Sequence, residues 1–271
     1  MPKSSSALQN SGGLMVWGIP TELDSILYIP RHDDGSLHTP IYAVSKVLET
    51  SFKPSSAHEA GVHLKYLQSP RLDGTDAQVE FFVNQFPAEG VARVERRGMG
   101  VDLPTAILPS PVPKDRFTIN FLSTSALQAH VHESYSSGTV ADKLQAARLE
   151  LEFVVSYNPR EARQKVLQWR MQNDGLKPLH HILVDADSNE PGDAVQAMYF
   201  HKSIGGHQPS PTHNEGFLLT RSGASADEKL LILTSLFSML SRMRQSQRRP
   251  SQGLTKRLYG QASSIVSKLR V

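Results

Sequence analysis

Histidine is the residue type in this sequence with the clearest capacity for chemistry, since the chain holds 11 histidines and no cysteine. His130-Val131-His132 places two imidazoles on one face of a strand, a geometry that suits zinc, and Glu133 follows directly. The other clusters are His180 and His181 with Asp185 and Asp187, and His207 with His213. These clusters leave a His-metal β-barrel enzyme open as one alternative.

The spacings of these clusters argue against catalysis. A cupin-type site has its glutamate three or four residues beyond His-x-His, whereas Glu133 follows His132 at once. The sequence also contains no Gly-x-Ser-x-Gly, His-Glu-x-x-His, Walker or Gly-x-Gly-x-x-Gly motif. Without cysteine there is no thiolate nucleophile, thiolate metal ligand or disulfide. We therefore predict that the chain is not an enzyme, has no catalytic residues and requires no metal or cofactor.

The charged residues are distributed unevenly along the chain. All 26 acidic residues lie at or before Glu228, so the formal net charge of +3 divides into −6 before residue 229 and +9 from there on. A basic block of this kind predicts a polyanionic partner, either an anionic membrane surface or nucleic acid. A solvated basic helix is the alternative. The residues predicted to bind lipid or nucleic acid are Arg242, Arg244, Arg248, Arg249, Lys256, Arg257, Lys268 and Arg270.

Short apolar segments between turn-forming residues predict mostly β structure. The clearest alternation is in Arg116–Leu122, where Phe117, Ile119 and Phe121 share one face that we expect to be buried. Leu149, Leu151 and Phe153 alternate in the same way in the second half of the chain. Neither a transmembrane run nor the apolar core of a signal peptide is visible, which predicts a soluble or peripheral protein.

Three segments carry helical signals. Asn158 followed by Pro159 predicts a helix that runs to about Gln172. A capping box from Ser225 to Glu228 predicts a second helix, in which Leu230, Leu233, Leu236, Leu240 and Met243 recur at helical spacing. A third, basic helix is expected over Leu254–Leu269, where it either lies on a membrane or packs on its own domain.

The small, polar stretch Ser134–Asp142 is the best candidate for a domain boundary. We therefore predict a flexible N-terminal arm over residues 1–13, an N-terminal β domain over 14–138, and a C-terminal mixed domain with a basic helical tail over 139–271. The predicted fold class is mostly β with a few helices (α+β), arranged as two β-sandwich-like domains.

One stretch resembles a known family. Val91–Gly100, Leu108–Phe121 and Ser123–Leu127 are similar to the N-terminal domain of matrix proteins of non-segmented negative-strand RNA viruses, including the filovirus and paramyxovirus proteins. The resemblance covers about 40 residues, and the budding motifs Pro-Pro-x-Tyr, Pro-Thr/Ser-Ala-Pro and Tyr-x-x-Leu are missing. It implies two sandwich-like domains and a structural virion protein that self-assembles on the inner face of a host membrane.

The resemblance also implies the partners of such a protein. They are further copies of itself in a dimer or higher oligomer, an anionic membrane surface, and the viral nucleocapsid or RNA during assembly and budding, with no small-molecule substrate. A nucleic-acid-binding or movement-type protein is the main alternative function, because it would share the basic block.

Overall fold

The computed structural model describes residues 22–48, 78–98, 104–113, 116–122, 128–135, 151–157, 165–172, 180–188, 195–202 and 213–248. Twelve strands lie in these ranges: β1 Ser25–His32, β2 His38–Ala43, β3 Gln78–Phe86, β4 Val91–Arg96, β5 Thr105–Pro109, β6 Arg116–Leu122, β7 Gln128–Tyr135, β8 Leu151–Tyr157, β9 Lys165–Gln172, β10 His180–Asp185, β11 Val195–His201 and β12 Asn214–Thr220. Two helices accompany them, the short α1 (Ser45–Leu48) and the long α2 (Ala226–Arg248).

All twelve strands form one antiparallel sheet that closes on itself. Each strand pairs with the next one along the chain, and β1 pairs with both β2 and β12. The closing contact aligns Ser25 with Thr220 and Leu27 with Leu218. Because a closed barrel has no free edge, every strand satisfies its backbone groups on both sides.

The prediction of a mostly β chain with a C-terminal helix is confirmed, but the arrangement of the strands differs from two sandwiches. β7 and β8 pair along their length, from Ala129 opposite Tyr157 to Tyr135 opposite Leu151. The sheet therefore continues across the expected boundary at 138/139, and strands from both halves belong to a single barrel. Alternation of apolar residues marks a strand equally well in a sandwich and in a barrel, which is why the sequence did not distinguish them.

Helix α2 lies inside the barrel. Its residues from Leu230 to Leu240 are all buried, and they form one apolar cluster with inward-facing side chains of the strands. Four of the inward positions are small, namely Ala92, Ala106, Ala129 and Ala197. Small side chains on the inner wall leave the space that a central helix needs.

Polar groups of α2 are satisfied within the barrel. The hydroxyl groups of Thr234 and Ser238 donate to carbonyl oxygens one turn earlier, at 2.6 Å and 2.8 Å. The indole Nε1 of Trp169, on β9, donates to Ser235 Oγ at 3.0 Å. The sequence predicted an apolar stripe on one face of α2, whereas the helix is buried on all sides because its hydroxyl groups bond to its own backbone.

The start of α2 is fixed as the capping box predicted. Ser225 N donates to Glu228 Oε2 at 2.8 Å, and Glu228 N donates to Ser225 Oγ at 3.2 Å. One turn into the helix, Lys229 Nζ forms an ion pair of 3.1 Å with Glu80 of β3. Neither helix in the described ranges combines the length and the apolar character that crossing a bilayer requires.

Two further predictions meet the structure here. Phe117, Ile119 and Phe121 of β6 are buried in the barrel core, as expected. The helix predicted over Asn158–Gln172 is wrong for its second half, because Lys165–Gln172 forms strand β9 with Leu167 and Trp169 inward. Alternation at strand period outweighs the Asn-Pro capping signal there, since a continuous barrel requires a strand between β8 and β10. The side chains of Leu149, Leu151 and Phe153 lie outside the described residues, as do residues 1–13 and 254–269.

Candidate functional site at the C-terminal end of the inner helix

The basic residues of the predicted binding site separate into two groups. Arg242 and Arg244 are buried, with 7% and 3% of their surface exposed, so the prediction that they lie on the surface is wrong. Arg248 is the last residue of α2, at the end where the helix leaves the barrel. The other predicted side chains, those of Arg249, Lys256, Arg257, Lys268 and Arg270, lie outside the described residues, as does that of Arg248 itself.

Arg244 forms a buried ion pair with Asp34, from the turn between β1 and β2. Its Nη2 and Nε atoms donate to Asp34 Oδ1 at 2.6 Å and 2.9 Å, and the carboxylate is 29% exposed. Such a pair satisfies part of the guanidinium group while keeping it inside. Arg244 Nη1 has no hydrogen-bond partner among the described residues. Arg242 Nη1 donates instead to Gln245 Oε1 at 2.9 Å.

A cavity of about 430 Å³ lies beside this ion pair. Its polar side includes His32, Asp34 and Arg244, and its apolar side includes Val83, Ala92, Leu108, Val112 and Phe237. The His32 ring packs against Phe237 of α2, with 4.8 Å between the ring centroids. The cavity has the size and mixed character of small-molecule sites in proteins.

An arc of polar side chains continues from this cavity along the inner wall. We call this set, which comprises His181, Tyr199, His201, Asn214 and His32 from strands β10, β11, β12 and β1, the polar arc. Asn214 is directly opposite His32 in the sheet, and the His201 ring is 4.7 Å from Tyr199 and 5.1 Å from His181. Each member is at most 5% exposed.

Most of the polar arc lacks hydrogen-bond partners. Within the described part of the chain, none is found for His32 Nε2, His181 Nδ1, Tyr199 Oη, His201 Nε2 or Asn214 Nδ2. A buried polar atom without a partner costs about 1–3 kcal/mol, so such a concentration in one place calls for a reason other than folding.

Burial keeps the arc uncharged. It lowers the pKa of His32 from 6.5 to about 4 and that of His201 to about 3, and the charge of Arg244 lowers both further. The pKa of His181 is also well below its usual value because of burial, with His201 and His180 adding to the effect. Burial raises the pKa of the Tyr199 phenol. At neutral pH the arc therefore consists of neutral donors and acceptors next to a single cation, Arg244.

Gly216 of β12 makes room for the arc. A Cβ atom at this position would lie 2.3 Å from the carbonyl oxygen of Phe200 and 2.6 Å from the Tyr199 hydroxyl. We expect Gly216→Ala to lower the free energy of unfolding by about 2–3 kcal/mol, because neither the strand backbone nor the enclosed ring can move aside. Chemical denaturation measures the loss. Gly223→Ala, whose Cβ would meet nothing within 4 Å, is the control; equal stability of the two variants would contradict the prediction.

The histidine clusters seen in the sequence are not assembled as the spacings suggested. His180 and His181 face opposite sides of β10, since His180 stacks on Phe200 while His181 belongs to the polar arc. His130 is exposed, and its Nδ1 lies 3.3 Å from Thr118 Oγ1. The side chains of His132 and His207 lie outside the described residues. In the described ranges, no three His, Asp or Glu side chains are placed to hold one metal ion.

A scan against protein-family models and searches of curated proteins and of solved structures found no match for this chain. The site must therefore be interpreted from its own geometry.

Sequence reasoning missed most of this site. It treated Arg244 as a surface residue and did not consider Asp34, Tyr199 or Asn214. Their proximity depends on pairs that are distant in the sequence, such as Asp34 and Arg244, which are 210 residues apart. The available signal was polar residues at inward positions of otherwise apolar strands, as in Tyr199-Phe200-His201.

Proposed function

We propose that the protein is a non-enzymatic binding protein that attaches to an anionic surface through the basic segment that follows α2. The observation that carries this proposal is the exit of α2 at Arg248, from the barrel end that holds Arg244 and the cavity. From Arg248 onward the sequence has six basic residues and no acidic residue: Arg248, Arg249, Lys256, Arg257, Lys268 and Arg270.

The buried ion pairs sharpen this assignment. Lys229 pairs with Glu80, and Arg244 pairs with Asp34, so these two charges serve the inner helix and are not available to a partner. The basic residues after the helix have no acidic neighbours in sequence, which favours phosphates on a polyanionic surface. Anionic lipid headgroups are the partner that we propose.

The fuller form of the proposal is a matrix-like role. In that role copies of the chain would assemble on the inner face of a host membrane, link it to a nucleocapsid or RNA, and be carried into the virion. The charge of the C-terminal segment supports the membrane part of this role. The barrel differs from the two sandwich-like domains that the resemblance implies, so the proposal rests on the charge.

Charge reversal after the helix tests the proposal. We expect the variant with Glu at Arg248, Arg249, Lys256 and Arg257 to lose about 4 kcal/mol of binding to vesicles containing phosphatidylserine, which is roughly a thousandfold in affinity. Binding to vesicles of phosphatidylcholine alone should be weak for both proteins. The wild type should also dissociate as salt is raised, because the attraction is screened.

Two controls make the sedimentation assay decisive. Exchange of Arg248, Arg249 and Arg257 for lysine preserves the charge and should preserve binding. An RNA arm uses the same variants. Strong RNA binding with no vesicle binding would replace the membrane proposal by the nucleic-acid alternative, and unchanged vesicle binding in the Glu variant would refute the role of this segment.

A further inference from the structure

The cavity beside Arg244 contains two buried polar atoms of opposite hydrogen-bonding character. Arg244 Nη1 is only a donor, and it has no partner among the described residues. His32 Nδ1 lies 3.0 Å from the carbonyl oxygen of Pro30, which only accepts hydrogen bonds, so Nδ1 carries the proton. Because the His32 ring is neutral, its second nitrogen, Nε2, is left as an acceptor. That atom also has no partner among the described residues.

The charges around the cavity limit the ligand. Arg244 is the buried cation, and Asp34 already offsets part of its charge at 2.6 Å. One further negative charge can be stabilised by Nη1, whereas a dianion would bring a second charge close to the Asp34 carboxylate. The opposite wall, formed by Val83, Leu108 and Phe237, offers no charged or hydrogen-bonding side chain. It suits an apolar group.

We propose that this cavity binds a small organic monoanion that carries a hydroxyl group beside its carboxylate and an apolar body. The carboxylate accepts a hydrogen bond from Arg244 Nη1, and the hydroxyl donates to His32 Nε2. The apolar body packs against Phe237, Val83 and Leu108. This ligand site is separate from the basic segment after α2, and it does not depend on the proposed attachment to an anionic surface.

Three probes of one size separate the parts of this proposal in calorimetric titrations. Mandelate has the carboxylate, the hydroxyl and the ring; phenylacetate lacks the hydroxyl; benzyl alcohol lacks the carboxylate. We expect mandelate to bind about tenfold or more tightly than either of the other two, since each leaves one buried polar atom without a partner. Phenyl phosphate, which carries a second negative charge, should bind more weakly than mandelate.

Variants locate the site. His32→Leu should reduce the affinity for mandelate to that for phenylacetate and leave phenylacetate unchanged, because only the hydroxyl contact is lost. Ala92→Leu adds volume to the cavity wall and should block all probes while the protein remains folded by circular dichroism. His130→Leu, an exposed histidine on another strand, is the matched control and should bind like the wild type.

The result that supports the proposal is a preference for mandelate that disappears in His32→Leu. Equal affinity for the three probes, or no binding of any of them to the wild-type chain, would show that the cavity holds only water. Tighter binding of phenyl phosphate than of mandelate would refute the assignment of the ligand class. If His32→Leu does not fold, the wild-type comparison and the Ala92→Leu variant still decide between these outcomes.

Discussion

Replacing Trp169 with alanine should lower the free energy of unfolding by about 3–5 kcal/mol. Trp169 is fully buried and is the largest such side chain among the described residues. It lies between the barrel wall and α2, and its Nε1 donates to Ser235 Oγ at 3.0 Å. The substitution removes this packing and leaves a cavity that a closed wall cannot collapse to fill, because the neighbouring strands are paired on both sides.

Urea denaturation followed by circular dichroism measures this loss, and two variants divide it. Trp169→Phe retains most of the ring and removes only the hydrogen bond, so it should cost about 1–2 kcal/mol. Ser235→Ala removes the other partner of the same bond. A loss below about 1 kcal/mol for Trp169→Ala would mean that α2 does not occupy the barrel interior.

Mild acid should destabilise the fold strongly. His32 and His201 have pKa values of about 4 and about 3 in the folded protein, against 6.5 for an ordinary histidine. Between these values and 6.5 the unfolded chain binds protons that the folded chain does not. The stability contributed by the two groups is therefore complete above pH 6.5 and is lost as pH falls. At pH 5 the loss is about 2 kcal/mol for each group.

The pH window separates histidines from carboxylates. The lowered pKa values of Asp24 and Asp33 lie below 3.8, so those groups do not change protonation between pH 7.5 and 5 in either state. The pKa values of His181 and His213 are lowered as well and act in the same direction. Denaturation curves at the two pH values measure the change.

Substitution identifies the responsible groups. The double variant His32→Gln, His201→Gln should lose much of the pH dependence, because glutamine does not titrate. His130→Gln, at an exposed site, should retain it in full. If the wild type has the same free energy of unfolding at pH 7.5 and pH 5, the buried histidines of the polar arc are not neutral as described.

Local patterns predicted the elements of this fold better than their assembly. The alternation in Arg116–Leu122 and the capping box at Ser225 identified β6 and the start of α2, because both signals depend on neighbours within a few residues. Closure of the barrel depends on Ser25 meeting Thr220, a contact that no local pattern encodes. Any strand with one apolar face would have been equally compatible with a sandwich.

The candidate site was predicted poorly for a related reason. Charge suggested that Arg244 is exposed, since arginine is seldom buried without a partner. Its partner Asp34 lies in a turn near the other end of the described chain, so the pair could not be recognised from the sequence. His32 and His201 were likewise separate residues until β1, β12 and β11 came together.

The position of α2 inside the barrel constrains how the protein can be made on the ribosome. Strand β12 and α2 are the last described elements, and the barrel needs the first to close against β1 and the second to fill its interior. During synthesis the earlier strands must therefore wait with their apolar inner faces uncovered, a state prone to aggregation and a natural substrate for chaperones. Folding to the native state begins only when residues 214–248 have left the exit tunnel, so this barrel completes its fold late in translation or after it.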